Sequence, residues 1–127
     1  MTFVASIERA AGESLVRQDL VSLQAKARRV FGEPPREDTL WSVQQQALQQ
    51  STPLEVARLK ASWFGEGCVL DICCGLGGDL LAIARRGPAV GVDREPSLVR
   101  CATENLAIAG LQADVRCEDV LRWPTGR

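Results

Sequence analysis

The eleven residues Val69-Leu70-Asp71-Ile72-Cys73-Cys74-Gly75-Leu76-Gly77-Gly78-Asp79 constrain this chain more than any other stretch. Apolar residues run into an acid at Asp71. A glycine-rich segment follows, and then Leu80, Leu81, Ile83 and Ala84 recur at helical spacing. The pattern predicts a strand, a tight bend and a helix start, in that order. At such a bend glycine adopts backbone angles closed to other residues and leaves no Cβ between main chain and ligand. The helix beyond it turns its unpaired N–H groups back toward the bend. A ligand is therefore expected there.

Asp71 narrows the choice of ligand. A dinucleotide or ATP brings phosphates to the helix start, and a carboxylate at the strand end repels them at short range. The dinucleotide fingerprint G-x-G-x-x-G needs glycine where Leu80 stands, and no G-x-x-x-x-G-K-[ST] occurs. A nucleotide-dependent oxidoreductase is thus disfavoured, and a ligand with positive charge is favoured. Among adenosine-type ligands of α/β sites, S-adenosylmethionine carries both a sulfonium and an ammonium group. At these residues the chain resembles the class I S-adenosylmethionine-dependent methyltransferases. Their first motif, an acid followed by x-G-x-G-x-G, matches at Asp71, Gly75 and Gly77, with Cys73 where the first glycine is usual. The Cys73-Cys74-Gly75 run and the double glycine are more similar to the trimethylguanosine synthases and related bacterial RNA methyltransferases. The resemblance covers roughly Ser51 to Asp119.

The resemblance implies roles for further residues. Asp93 ends an apolar strand 18 residues after Gly75, close to the spacing of about 20 at which Rossmann-type sites place an acid on the ribose hydroxyls; the plainer reading is a helix N-cap before Pro96. Asp119 matches the acid that accepts from the adenine amine, and Val120 would flank the base. Ser51-Thr52-Pro53-Leu54-Glu55 is similar to an S-x-T-P-E segment that lies near the methionine end of the cofactor. The same residues also read as a helix start, with Thr52 as N-cap, Pro53 at the first helical position and Glu55 closing a capping box. Asp71, Thr52, Cys73, Gly75, Gly77, Asp93, Asp119 and Val120 are the candidate cofactor residues. They would bind rather than transfer protons, and no catalytic residue is assigned. RNA as the methyl acceptor follows from the resemblance alone.

Composition excludes other classes. With 15 Lys and Arg against 16 Asp and Glu, the net charge of −1 offers no basic footprint for nucleic acid. Five cysteines without secretory signal features suit a reduced compartment, with the cytoplasm as the default. Absence of His rules out His-based triads, and the cysteine spacing lacks paired C-x-x-C zinc motifs. No apolar run is long enough for a membrane span.

Along the chain, Val4, Ile7 and Ala11 predict a first helix. Val16, Leu20, Leu23, Ala27 and Val30 predict a second, stopped at Gly32 ahead of Pro34-Pro35. Asp38 or Thr39 is expected to cap a third, burying Leu40, Val43, Ala47 and Leu48. Trp63 and Phe64 should end the next helix as core residues. Strands are expected at Cys68–Ile72, Ala89–Asp93 and Ala113–Cys117, with a helix from Pro96 to Ala109 whose Glu104 and Asn105 face solvent. The fold class is therefore α/β: the first half of a Rossmann-like doubly wound parallel sheet, three strands in the order 3-2-1, preceded by an N-terminal helical segment. Residues 1–64 form that segment, and residues 65–127 the S-adenosylmethionine-binding part. Methyltransferases of this kind continue through four further strands and a proline-rich loop, for which Trp123-Pro124 is a poor stand-in, so the chain looks truncated after its third strand. The first strand would then be an open edge, expected either to pair in a homodimer or to be covered by the N-terminal helices. A non-catalytic cofactor-binding or interaction module is the competing reading.

Overall fold

The structure, a computed structural model, describes residues 14–122, with side chains from residue 19 onward. The helix expected over residues 3–11 and the Trp123-Pro124 turn lie outside the described residues. Helix α1 spans Ser14–Phe31. Gly32 closes it at φ +85°, the left-handed conformation expected of that glycine, with its N–H on the Arg28 carbonyl at 2.8 Å. Helices α2, Gln45–Gln49, and α3, Leu54–Ser62, follow. Then come β1 at Val69–Ile72, α4 at Gly78–Arg86, β2 at Ala89–Asp93, α5 at Pro96–Ala109 and β3 at Asp114–Cys117. A short 3-10 turn, Val120–Arg122, closes the described chain.

The three strands are parallel, with β2 between β1 and β3, in the expected order. Val69 pairs with Ala89 and Ile72 with Val92; Val90 pairs with Asp114 and Asp93 with Cys117. A parallel ladder needs a crossover for each return, and α4 and α5 supply them. Their apolar stripes, Leu80, Leu81 and Ile83 on one and Cys101, Ala102 and Leu106 on the other, form the core together with Ala27, Val30 and Phe31 of α1. Gly91 allows the closest approach of helix to sheet. A Cβ built there would lie 2.5 Å from a Leu80 methyl and 3.2 Å from Cys74 Sγ.

Four expectations are corrected. The third helix does not begin near Leu40. Residues 32–44 are irregular, and helix returns only at Gln45. The cause is remote hydrogen bonding. Gln24 of α1 donates from Nε2 to the Trp41 carbonyl at 2.9 Å and accepts the Trp41 N–H at 3.0 Å. Trp41 itself is 2% exposed, lies with its ring centroid 5.0 Å from that of Phe31, and donates from Nε1 to the Gly32 carbonyl at 2.9 Å. Asn105, expected in solvent, is fully buried. It lies one turn from Cys101 and Ala102 on the buried stripe of α5, where it satisfies main-chain groups that no strand reaches. Trp63 and Phe64 are not core: they are 70% and 44% exposed, because α3 turns Ala57 and Ala61, not its C-terminal aromatics, toward α4. Finally, Thr52 does not cap α3. The N-cap is Pro53, with no side-chain capping bond, so the capping box with Glu55 is not formed.

Strand β1 pairs only with β2 among the described residues, and Leu70 and Ile72 on it are 45% and 51% exposed. Arg86 fastens the turn leading into it through the carbonyls of Gly65, Gly67 and Pro88.

Candidate cofactor site

The glycine turn begins where the ladder runs out. Cys74 N–H still reaches the Val92 carbonyl at 2.8 Å, two residues past the end of β1. From Cys73 the backbone alternates into the left-handed region, at Cys73 (φ +58°), Gly75 (φ +56°) and Gly77 (φ +96°). That alternation is the physical content of an x-G-x-G-x-G motif: each glycine position is one where a side chain strains the backbone. Cys73 accepts such strain, on the order of 1 kcal/mol, at the position where glycine is usual. Gly77 then starts α4, and a Cβ on Gly78 would lie 2.9 Å from Val30 of α1. A Cβ built on Gly75 would meet nothing within 4 Å, so the turn opens there.

Asp93, at the end of β2, ties the turn to the sheet. Its Oδ2 accepts Gly75 N–H at 3.0 Å, and its Oδ1 accepts Glu95 N–H at 3.0 Å. It is therefore an Asx-type bridge to the chain entering α5 and also an anchor of the turn, while each oxygen keeps a lone pair for a further donor. Asn105 holds the turn from beneath. Its Nδ2 donates to the Leu76 carbonyl at 2.9 Å and to the Ser42 carbonyl at 2.8 Å, and its Oδ1 accepts Ser42 N–H at 2.7 Å. One amide thus joins the irregular linker to the turn.

A cavity of about 220 Å³ lies over this turn, with Thr52, Cys73, Gly75, Asp79, Asp93 and Leu98 among its lining residues. Of the candidates named from sequence, Thr52, Cys73, Gly75 and Asp93 come together here. Gly77 supports the turn from behind, packed on Leu81 and Ala102. Asp119 and Val120 do not line the cavity. Asp119 instead accepts Leu121 N–H at 3.0 Å and lies 3.8 Å from Arg122, organising the 3-10 turn after β3.

Asp71 is also displaced from its expected place. It lines a neighbouring cavity of about 150 Å³ between α3 and β1, with Lys60, Phe64 and Asp79. Burial pushes its carboxyl up to about 6, and the charges of Asp79 and Asp93 add to the rise, while Lys60 opposes it. Its Oδ2 is buried without a partner among the described residues, as is Oδ1 of Asp79. Asp79 lines both cavities, and its Oδ2 accepts from Thr52 Oγ1 at 3.2 Å and from Lys60 Nζ at 3.1 Å. Reading the sequence singled out neither Asp79 nor Lys60. The available signal was an acid in the first turn of a helix, a common and uninformative preference. Cys74, beneath the turn, is buried, and desolvation pushes its thiol up to about 12, so it packs as a neutral side chain.

A parallel sheet with crossover helices α4 and α5, a left-handed glycine turn after β1 and a carboxylate at the end of β2 form the arrangement in which α/β proteins commonly hold nucleoside cofactors. The donor set suits a ligand with ribose hydroxyls and a charged tail: open main chain at Gly75, a buried carboxylate at Asp93, and unpartnered carboxylate oxygens toward α3.

Residues 69–127 match the family model described as a methyltransferase domain. Over 82 residues, 64% of this chain, the sequence is 38% identical to an uncharacterized S-adenosylmethionine-dependent methyltransferase of Mycobacterium tuberculosis, found alike in strains CDC 1551 and H37Rv. The chain spans 23% of the length of these curated relatives. In structure it is similar to the N-terminal domain of EvdMO1, solved with SAH bound, at a TM-score of 0.58 and 19% identity, covering 82% of this chain and 48% of that one. At that identity the likeness is one of fold. From β1 onward the chain is thus similar in sequence to S-adenosylmethionine-dependent methyltransferases and shares their fold.

Proposed function

We propose that the chain binds S-adenosylmethionine over the β1 turn and serves methyl transfer as the cofactor-holding part of a methyltransferase. The observation that carries this reading is the Asp93–Gly75 bond, which sets a buried carboxylate beside open main chain at the mouth of the cavity. Asp93 would take the ribose hydroxyls. The turn from Cys73 to Gly77 would pass beneath the sulfonium, and Thr52 would lie toward the methionine end. The cofactor supplies an activated methyl group; the chain's own contribution is positioning, which converts an encounter between two molecules into a step within one site. In this reading residues 65–127 carry the cofactor, and residues 1–64 are a separate N-terminal helical segment, of which α3 walls the cavity next to β1. Asp119 and Val120 would meet the adenine only if the segment after β3 closed over the cavity mouth.

RNA as methyl acceptor is part of the proposal. It rests on the Cys73-Cys74-Gly75 pattern and its likeness to RNA-modifying methyltransferases. A reduced, cytoplasmic setting is supported by five free thiols. Among the described residues no helix is long and apolar enough to cross a membrane. A homodimer through β1 is favoured by the open edge and the exposed Leu70 and Ile72 on it.

Calorimetric titration with S-adenosylhomocysteine and with NADH tests the binding. Saturable binding of the first and none of the second is expected; the reverse would overturn the reading. Labelled S-adenosylmethionine incubated with RNA then tests turnover. Cofactor binding without label transfer would favour the non-catalytic module. Sedimentation that finds a monomer at all concentrations would remove the dimer.

A further inference from the structure

Among the described residues strand β1 pairs with β2 alone, so alternate main-chain N–H and C=O groups along its other side meet no strand. Its side chains alternate too. Leu70 and Ile72 point to the sheet face opposite Asp71, and both are exposed. On α3 the residues Val56, Leu59 and Trp63, also exposed, recur along the side next to Lys60 and Phe64 and extend this apolar surface.

Between α3 and β1 lies the cavity of about 150 Å³, with Ala57, Ala61, Phe64, Val69 and Ile83 among its walls and Lys60, Asp71 and Asp79 as its charges. Asp71 lines this cavity and not the one over the glycine turn. Lys60, the only cation lining it, gives its hydrogen bond to Asp79 at 3.1 Å, while Asp71 Oδ2 is buried without a partner among the described residues. A buried carboxylate oxygen left unpaired is costly. Around it the charges of Asp79 and Asp93 outweigh that of Lys60, so a neutral donor would leave the place negative.

From these features we infer that the open side of β1 takes a β-strand of another polypeptide in which one Lys or Arg stands between two apolar residues. Alternation along the added strand sets the apolar pair beside Leu70 and Ile72 and the basic side chain on the face of Asp71. The stem of a Lys or Arg suits the apolar walls, and its charged head meets the carboxylate. A second copy offering its own β1 brings Asp71 and no cation. A homodimer along this edge therefore leaves the carboxylate unpaired and gives way to such a strand.

Fluorescence anisotropy with labelled, end-blocked peptides of the form Thr-Thr-Val-Lys-Val-Thr-Thr supplies the test, with norleucine in place of the Lys in one control and Glu in another. The wild-type chain is expected to bind the Lys peptide at least about tenfold more tightly than the norleucine peptide, the worth of one charge-assisted bond, and the Glu peptide more weakly still. Asp71→Asn should bring the Lys and norleucine peptides within about twofold of each other. Lys60→Met, which removes the competing cation, should widen the preference. Equal affinity of the wild-type chain for the Lys and norleucine peptides would overturn the inference. So would a wild-type chain that binds none of them, whether sedimentation finds it monomeric or held as a dimer. Should thermal melts show that Asp71→Asn unfolds the chain, Lys60→Met, altering a half-exposed side chain, carries the test, and an unchanged preference there would equally overturn the inference.

Discussion

Two irregular segments meet beneath the cavity and are held in opposite ways. The turn at residues 73–78 keeps its shape through its own torsions: three alternate residues at positive φ, two of them glycine. The linker at residues 32–44 is held from outside, by the Gln24 amide on Trp41 and the Asn105 amide on Ser42. A locally encoded turn can leave one face bare for a ligand. A remotely held segment spends its polar groups on the protein and becomes supporting wall, none of it lining the cavity. Asn105 belongs to both, because it also grips Leu76 in the turn.

Breaking the shared clamp should therefore have the largest effect. Asn105→Ala strands three main-chain groups in a fully buried place and is expected to lower stability by about 3 kcal/mol or more in urea unfolding, with cofactor affinity falling as well. Gln24→Ala, which touches the linker alone, is expected to cost less and to leave the affinity for S-adenosylhomocysteine unchanged. If it abolished binding, the division between wall and turn would be wrong.

The turn's neighbourhood should also show in pH. Because burial and Asp79 raise the Asp71 carboxyl from 3.8 to about 6, the folded chain holds a proton that the unfolded chain releases. The stabilisation is complete below about pH 4 and is lost as pH rises through about 6, on the order of 2 kcal/mol after allowing for partial exposure. Unfolding of the ligand-free chain from pH 4 to 7 should show this slope, and Asp71→Asn should flatten it.

Asp93→Ala removes the acceptor for two main-chain N–H groups and the proposed ribose contact together. Affinity for S-adenosylhomocysteine should fall at least about tenfold by calorimetry. The smallest effect is expected at Cys73. Cys73→Gly relieves a left-handed residue and is expected to raise stability by up to about 1 kcal/mol in thermal melts, part of the gain being offset by the freedom glycine adds to the unfolded chain. A loss of stability there would mean that the Cys73 side chain makes contacts worth more than the strain.

The open side of β1 shows where local reading reaches its end. Apolar residues at Trp63 and Phe64 look like core in sequence, yet they are exposed, because burial depends on which face of α3 meets α4 and on what stands beside β1. Composition cannot settle that.

By itself the sequence determined the strand-turn-helix at Val69 to Arg86, the three strands and their order, the left-handed stop at Gly32, and the acid at the end of β2. These follow from period, glycine geometry and crossover rules, all of them local or nearly so. Tertiary structure alone decided that Asn105 lies inside, that Thr52 bonds Asp79 instead of capping a helix, and that Asp71 stands behind the cavity with Lys60. Each is a hydrogen bond or a charge contact between residues 11 or more positions apart, or a burial set by such contacts, and no periodicity in the chain records which distant partner a polar side chain will meet.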